Sequence, residues 1–512
     1  MKSSTLGVAI ATPHGLATDA GAEAISAGGN AIDAALAAAA VLTVVYPHQC
    51  SLGGDLTALV RHPTGKVEAV LSIGAAPMGI DTARLRATSP AMPQQGPYTI
   101  TVPGVVAGWS ALSRLGARFG LQASLTRAAG LAADGTPVAS GLARAIHGEA
   151  RAIAADPGLR GIFAPRDELL AEGETMVQPA LAATLRTLAH DPDSFYNGAL
   201  AERVAAGLAS LGSPLGAQDL AAHTAERSAP LTAEWYGVRW WAAPPPSQGA
   251  SALALIDPSA PGDLLTRAQN AFAARDKLLG DPRGGPIDLD GLRWPRSTDT
   301  GPIPAAAGDA SCGDTVAVTA VDAEGYSVAL IQSVYHSFGA GLLEPDTGIV
   351  LHNRGAAFAL LRDAGAHAVH PARLAPGHRP PHTLCPLLAE SCDVRLSLGC
   401  QGSRAQPLIL GQVARALTDP KADLDATLAA PRWVTGGSDL GLGSAGILAE
   451  PGAAVPPTRG LPLIIGTDHE DRCGHVQAAR AIGQLLEASA DPRADGQAVA
   501  IASAGCSSGP DH

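Results

Sequence analysis

Aromatic residues make up only 4% of this 512-residue chain and charged residues 16%. With so few rings, the interior must be filled by small aliphatic side chains. Apolar residues reach 46%, with alanine and glycine plentiful, which suits a large buried core and excludes a disordered chain. The length could hold several domains, but layered sandwiches of this size share one core. Basic residues are outnumbered, 35 Lys and Arg against 47 Asp and Glu. A nucleic-acid-binding stripe is therefore excluded and a polyanionic partner disfavoured. Cysteine is sparse: Cys50, Cys312, Cys385, Cys392, Cys400, Cys473 and Cys506 form no CxxC pair and are odd in number. That argues against a disulfide framework or structural zinc, and free thiols in a reducing cytoplasm are expected. Long apolar runs are missing too. Ala34 to Tyr46 falls short of the ~20 residues a membrane span needs, and Met1–Ile10 has no sustained apolar stretch before Pro13 and His14. The expectation is a soluble, cytoplasmic protein with no membrane partner. Histidines such as His352 and His475 show no metal-ligand spacing and are read as structural, so neither metal nor cofactor is expected. No repeat of solenoid length occurs.

Residues 18–28 predict a helix ended by Gly28-Gly29. Asn30 then caps a second helix, Ala31 to about Val45, with Asp33 in its first turn where the helix dipole favours negative charge. That helix is apolar nearly all round, so it should be buried. Ser51-Leu52-Gly53-Gly54-Asp55 has the composition of a tight backbone turn. Strands over 56–61 and 66–73 form a hairpin about Pro63-Thr64-Gly65. Pro103-Gly104 opens a helix expected to reach Gly120, residues 121–235 read as mostly helical, and Trp235–Trp241 reads as a strand leading into Pro244-Pro245-Pro246-Ser247-Gln248-Gly249. The proline- and glycine-rich stretch 282–313 reads as an exposed, mobile connection or as an ordinary surface loop. Further on, strands are expected at Gly348–His352 and Asp393–Gly399, a helix from Gly402-Ser403 to about Leu417, and a helix carrying Gly474-His475-Val476-Gln477-Ala478.

Most informative is Gly313-Asp314-Thr315. Thr315 opens an alternating strand that turns at Ala323-Glu324-Gly325 and returns through Tyr326–Ser333. By itself a threonine there is simply a good strand former. If the chain is cut before Thr315, however, the residue gains a free α-amine beside its own hydroxyl. An α-amine titrates near pH 8 (roughly 7.7–8.0), so it can serve as the base that activates that hydroxyl. This is the chemistry of N-terminal-nucleophile hydrolases.

In order along the chain come Gly28-Gly29-Asn30-Ala31-Ile32-Asp33-Ala34-Ala35, Leu52-Gly53-Gly54-Asp55, Val102-Pro103-Gly104 and Pro244-Pro245-Pro246-Ser247. Gly313-Asp314-Thr315, Pro345-Asp346-Thr347-Gly348-Ile349 and Ala430-Pro431-Arg432 follow. Together they resemble the γ-glutamyltranspeptidase family over essentially the whole chain. Asn353-Arg354-Gly355, Arg379-Pro380-Pro381-His382-Thr383-Leu384 and Asp491-Pro492-Arg493-Ala494-Asp495-Gly496 are more similar to its acylase and amidohydrolase branch than to the glutathione-cleaving one. The resemblance implies an α+β fold, the αββα sandwich of two stacked antiparallel sheets between helical layers. It also implies self-cleavage of Asp314–Thr315 into a large subunit, 1–314, and a small one, 315–512, which remain one interwoven domain.

From the resemblance Thr315 is the nucleophile, first against its own preceding carbonyl and then against the substrate. Ser333 matches the family's second hydroxyl, which orients the nucleophile; otherwise it is an outward strand serine. Gly402 and Ser403 match the glycine pair whose N–H groups hold the oxyanion, and Ser403 equally suits a helix cap. His382 and Thr383 stand where transpeptidases contact the substrate carboxylate, and His382 reads as a neutral wall residue rather than a base. Three departures concern substrate. No arginine precedes Ala76-Pro77, where the segment is Ser72-Ile73-Gly74-Ala75. Ala357 replaces the aspartate for the substrate amine, and Tyr335 replaces an asparagine. A γ-glutamyl group would lose partners worth several kcal/mol (~2–5 each). Arg354 could instead grip an acid without a nearby amine, such as an oxalyl, oxamate-like or dicarboxylic acyl unit, or it could pair with Asp346 or Glu344. The expected activity is hydrolysis of an amide or related acyl bond of a small acid. Alternatives are a biosynthetic carbon–carbon hydrolase releasing an oxalyl unit in an alkylproline antibiotic pathway, true γ-glutamyl transfer, and an uncut, inactive scaffold.

Overall fold

In the computed structural model, residues 7–295, 313–360, 370–437, 440, 442 and 444–502 are described. The proline- and glycine-rich connection lies largely outside them, as do Cys312, Cys506 and the polar tail. Small residues dominate the interior as expected, and they allow close layering. One seven-stranded sheet runs edge to edge through Gln497–Ala502, Gly7–Thr12, Gly313–Asp322, Ser327–His336, Asp55–Arg61, Val67–Ser72 and Glu226–Ser228. A six-stranded sheet runs Leu485–Ala490, Val476–Ile482, Val394–Cys400, Leu387–Glu390, Val238–Ala242 and Leu231–Trp235. Every pairing within both is antiparallel. The two sheets face each other where Gly313–Asp322 packs on Val394–Cys400 and Val476–Ile482. Helices Gly15–Ser26 and Ala31–Val45 cover the first sheet, and Gly249–Ile256 and Gln406–Leu417 cover the second. This is the αββα sandwich. Among the described residues no helix is long and apolar enough to cross a membrane, and the five described cysteines are free.

The helix Ala31–Val45 is buried along its whole length. Asn30 caps it as read, and Asp33 completes a capping box: Asn30 Oδ1 accepts from Ile32 and Asp33 N–H, and Asp33 Oδ2 accepts from Asn30 N–H. Asp33 also accepts from Arg118 and Phe119 N–H, so a local motif becomes a tertiary clamp.

Four expectations are corrected. The helix after Pro103-Gly104 stops at Ser113, because the chain must turn through Gly116, φ 128°, to deliver those N–H groups to Asp33. At the end of the stretch read as mostly helical, Glu226–Ser228 and Leu231–Trp235 are strands. Within 348–352 only Ile349–Val350 lie in a ladder, with Leu351 in an isolated parallel bridge to Gly53, since His352 N–H leaves the ladder for Gly53 C=O. Val476–Ile482 is a strand with Gly474-His475 just before it. Its alanines favour helix, but ladders to Val394–Cys400 and Leu485–Ala490 on either side override that preference.

Candidate active site

Thr315 is buried in the strand Gly313–Asp322, next to Ser327–His336. The register between these strands slips once. Val316 faces Gln332 and Asp314 faces Tyr335, so Ser333 and Val334 together oppose Thr315. Such a bulge re-aims side chains. Here it brings Ser333 Oγ to 3.0 Å from Thr315 Oγ1, which donates to it, while Tyr335 N–H donates to the same oxygen at 2.8 Å. Asn353 holds the bulge from behind: its Oδ1 accepts from His336 N–H, and its N–H donates to Val334 C=O.

Tyr335 sits at φ 82°, a left-handed conformation costly for an aromatic residue. That turns its ring beneath Arg354, whose guanidinium carbon lies 3.7 Å from the ring centroid. Arg354 is fully buried. One nitrogen, Nη2, donates to Thr383 Oγ1 at 2.9 Å, and Nη1 meets no hydrogen-bond partner among the described residues. Burial lowers this guanidinium to about 10, still charged at neutral pH. Pairing with Asp346 or Glu344 does not occur: Glu344 is bound to Thr347 and to Asp346 N–H instead.

His382 and Thr383 reach the site from the loop before Leu387–Glu390, fastened by the proline motif. His382 N–H donates to Pro246 C=O, Gln248 N–H donates to His382 C=O, and Ser247 Oγ donates to Leu384 C=O. Gln248 Nε2 further bridges Thr383 C=O and Ser403 C=O, tying the Arg354 side of the site to Gly402-Ser403. Those two residues adopt φ 141° and 45°. Among the described residues neither N–H donates to a carbonyl, and the turn they open packs on the Thr315 strand. Backbone donors without a carbonyl partner near a buried hydroxyl are of the kind that can receive an oxyanion.

Sequence reading took Leu52-Gly53-Gly54-Asp55 for a turn and overlooked Asp55. This buried carboxylate lies directly across the ladder from Ser333. Its Oδ1 accepts from Gly74 N–H, and its Oδ2 lies 3.1 Å from His382 Nε2 and 3.6 Å from His352 Nδ1. Burial pushes the Asp55 carboxyl up to about 7. It also holds His352 down to about 4 and His382 well below its ordinary value, so both imidazoles are neutral. Since His382 Nδ1 accepts from Leu384 N–H, its other nitrogen must be the one that donates to Asp55. With both nitrogens occupied, His382 is no general base. Among the described residues no group of three His, Cys, Asp or Glu is placed to hold a metal. A cavity of about 400 Å³ opens from Tyr335, His382 and Thr383 past Ala357 and Phe358 towards Met92, Leu279 and Arg404.

A family model described as gamma-glutamyltranspeptidase matches residues 17–260 and 264–501. The chain belongs to the γ-glutamyltranspeptidase family. It is 36% identical to the oxamate amidohydrolase proenzyme of Klebsiella pneumoniae, over 97% of this chain and 98% of that protein. It is 31% identical to the glutathione hydrolase-like YwrD proenzyme of Bacillus subtilis, over 96% and 98% respectively. The crystal structure of a cephalosporin acylase from Bacillus halodurans superimposes with a TM-score of 0.83 at 28% identity, covering 97% of this chain and 96% of that one. As a γ-glutamyltranspeptidase-family member the chain is a hydrolase, not an inert scaffold. Much of the family pattern in it is architectural. Arg432 and Arg493, for example, share buried Asp491, and Arg493 also grips Glu450.

Proposed function

We propose that this chain is a self-processing amidohydrolase that cleaves amides of a small carboxylic acid, of the oxamate kind, through Thr315. The observation that carries this reading is the buried Arg354. It is charged, faces no carboxylate within ion-pair distance among the described residues, has one nitrogen without a partner, and lies beside the bulge that presents the nucleophile. A buried cation left in that state is costly unless a ligand supplies the anion. Similarity to an oxamate amidohydrolase supports an acid amide as that ligand. An α-amine in the substrate would find Ala357 on the cavity wall instead of a carboxylate, which disfavours γ-glutamyl donors.

In the precursor, Thr315 Oγ1 attacks the Asp314 carbonyl. The acyl group shifts from nitrogen to oxygen, and water hydrolyses the ester, leaving residues 1–314 and 315–512. The freed amine then takes the Thr315 hydroxyl proton as Oγ1 attacks the substrate amide. Ser333 orients the hydroxyl, and the N–H groups of Gly402 and Ser403 receive the oxyanion. Ammonia or an amine departs with the proton from the α-ammonium. Water then attacks the acyl-threonine and releases the acid. Arg354, seated on Tyr335 and steadied by Thr383, holds the substrate carboxylate, and His382 walls the cavity.

Purified protein offered oxamate should release oxalate and ammonia, while a γ-glutamyl anilide should be turned over far more slowly. Preference for the γ-glutamyl compound would reject the assignment of Arg354.

A further inference from the structure

His352 Nε2 lies 2.9 Å from Thr101 C=O and 3.1 Å from Thr101 Oγ1. A carbonyl only accepts, so Nε2 must carry the ring proton. In the neutral ring, which burial favours, Nδ1 then carries a lone pair, lies 3.6 Å from Asp55 Oδ2, and meets no hydrogen-bond partner among the described residues. Two lone pairs set this close in a buried site repel unless a proton lies between them. The tautomer of His382 is also settled: it donates to the same Oδ2 and cannot relieve this contact.

We infer that Asp55 is an un-ionised carboxylic acid in the working enzyme, its hydroxyl directed at His352 Nδ1, and that this keeps the acid end of the cavity positive for an anionic substrate. Asp55 is thus a positioning and specificity residue. The inference rests on Arg354 being the substrate carboxylate's partner. Were Asp55 ionised, its charge would lie close to that guanidinium and repel the incoming acid.

The groups facing Asp55 support this charge count. Arg379 is spent on Asp281 and Glu226. His223, behind Ser72, is held down to about 4 by burial, and Tyr196 is a neutral phenol bonded to Pro103 C=O. His352 and His382 are neutral as well, so among these groups Arg354 is the cation without a carboxylate partner. The upward displacement of the Asp55 carboxyl to about 7 points the same way.

Two measurements test the inference. In infrared spectra the wild-type protein should show the carbonyl stretch of an un-ionised carboxylic acid on the acid side of neutrality, absent from Asp55→Asn. In kinetics, wild-type KM for oxamate should rise by up to about tenfold per pH unit above the ionisation. The KM of Asp55→Asn should stay flat, while the limb of kcat set by the Thr315 amine is seen in both. A wild-type spectrum without the band, or a variant whose KM keeps the wild-type pH dependence, overturns the inference. So does an Asn variant that has lost affinity for oxamate at every pH. If Asp55→Asn does not fold, His352→Gln must displace the band, and an unmoved band has the same overturning force. Should wild type ignore all acid amides, the proposed substrate falls while the infrared result still judges Asp55.

Discussion

Replacing Arg354 by methionine keeps most of the side-chain length and removes the charge. The variant should still cut itself, because the guanidinium touches Tyr335 and Thr383 rather than Thr315. Its kcat/KM for an acid amide should fall by about 2–5 kcal/mol, roughly thirtyfold or more, which steady-state kinetics on the processed enzyme would read. Ser403 separates backbone from hydroxyl: at φ 45°, Ser403→Gly keeps the N–H and relieves strain, so kcat should change little. A valine at the same angle should cost about 1–3 kcal/mol and lose most activity, checked by kinetics and melting together. The strand that carries Thr315 was legible because its alternation after Gly313-Asp314 is a local pattern. Asp55 was not, because Gly-Gly-Asp looks the same whether it merely turns the chain or seats a carboxylate. Only the fold brings His352 and His382 to it.

Elements place the chemistry through contacts that tolerate no added atom. A Cβ on Gly54 would stand 2.4 Å from Ser333 C=O, and one on Gly74 would stand 1.6 Å from Val102 C=O. Gly54→Ala should therefore push the strand bearing Ser333 away from Thr315 and slow self-cleavage severely, seen on a denaturing gel as persistence of the full-length chain. The bulge at Ser333-Val334 was invisible in the sequence, since an alternating strand shows no extra residue until its partner's register is known. Helix caps were readable for the opposite reason: Asn30 and Asp33 satisfy donors within one turn. The strand Val476–Ile482 escaped notice because its alanines carry no local strand signal.

Across the whole molecule, residues 1–314 and 315–512 contribute strands to both sheets, intermixed in the seven-stranded one and paired across Leu387–Glu390 and Val238–Ala242 in the six-stranded one, so cutting Asp314–Thr315 would leave two chains that cannot separate without unfolding the core. The same burial sets the pH response. His14, His48, His223, His336 and His352 are held down to about 3–4 by desolvation, whereas unfolded histidine titrates near ~6.5. Between those values the unfolded chain binds more protons, so stability is full above the unfolded value and is lost as pH falls towards about 4. Asp55, raised to about 7, runs the other way: its contribution is present at low pH and fades as pH rises through neutrality. Burial raises Glu149, Asp156 and Asp322 in the same direction as Asp55, but the five histidines outnumber these four carboxyls, and the melting temperature should drop on acidification, as scanning calorimetry would show.

Intact-mass spectrometry of the purified wild-type protein, run beside Thr315→Ala, probes the central claim most directly. Wild type should give two polypeptides, the second beginning Thr315-Val316-Ala317, and the variant one chain of 51.4 kDa. A single uncut wild-type chain that nonetheless hydrolyses oxamate would contradict the account.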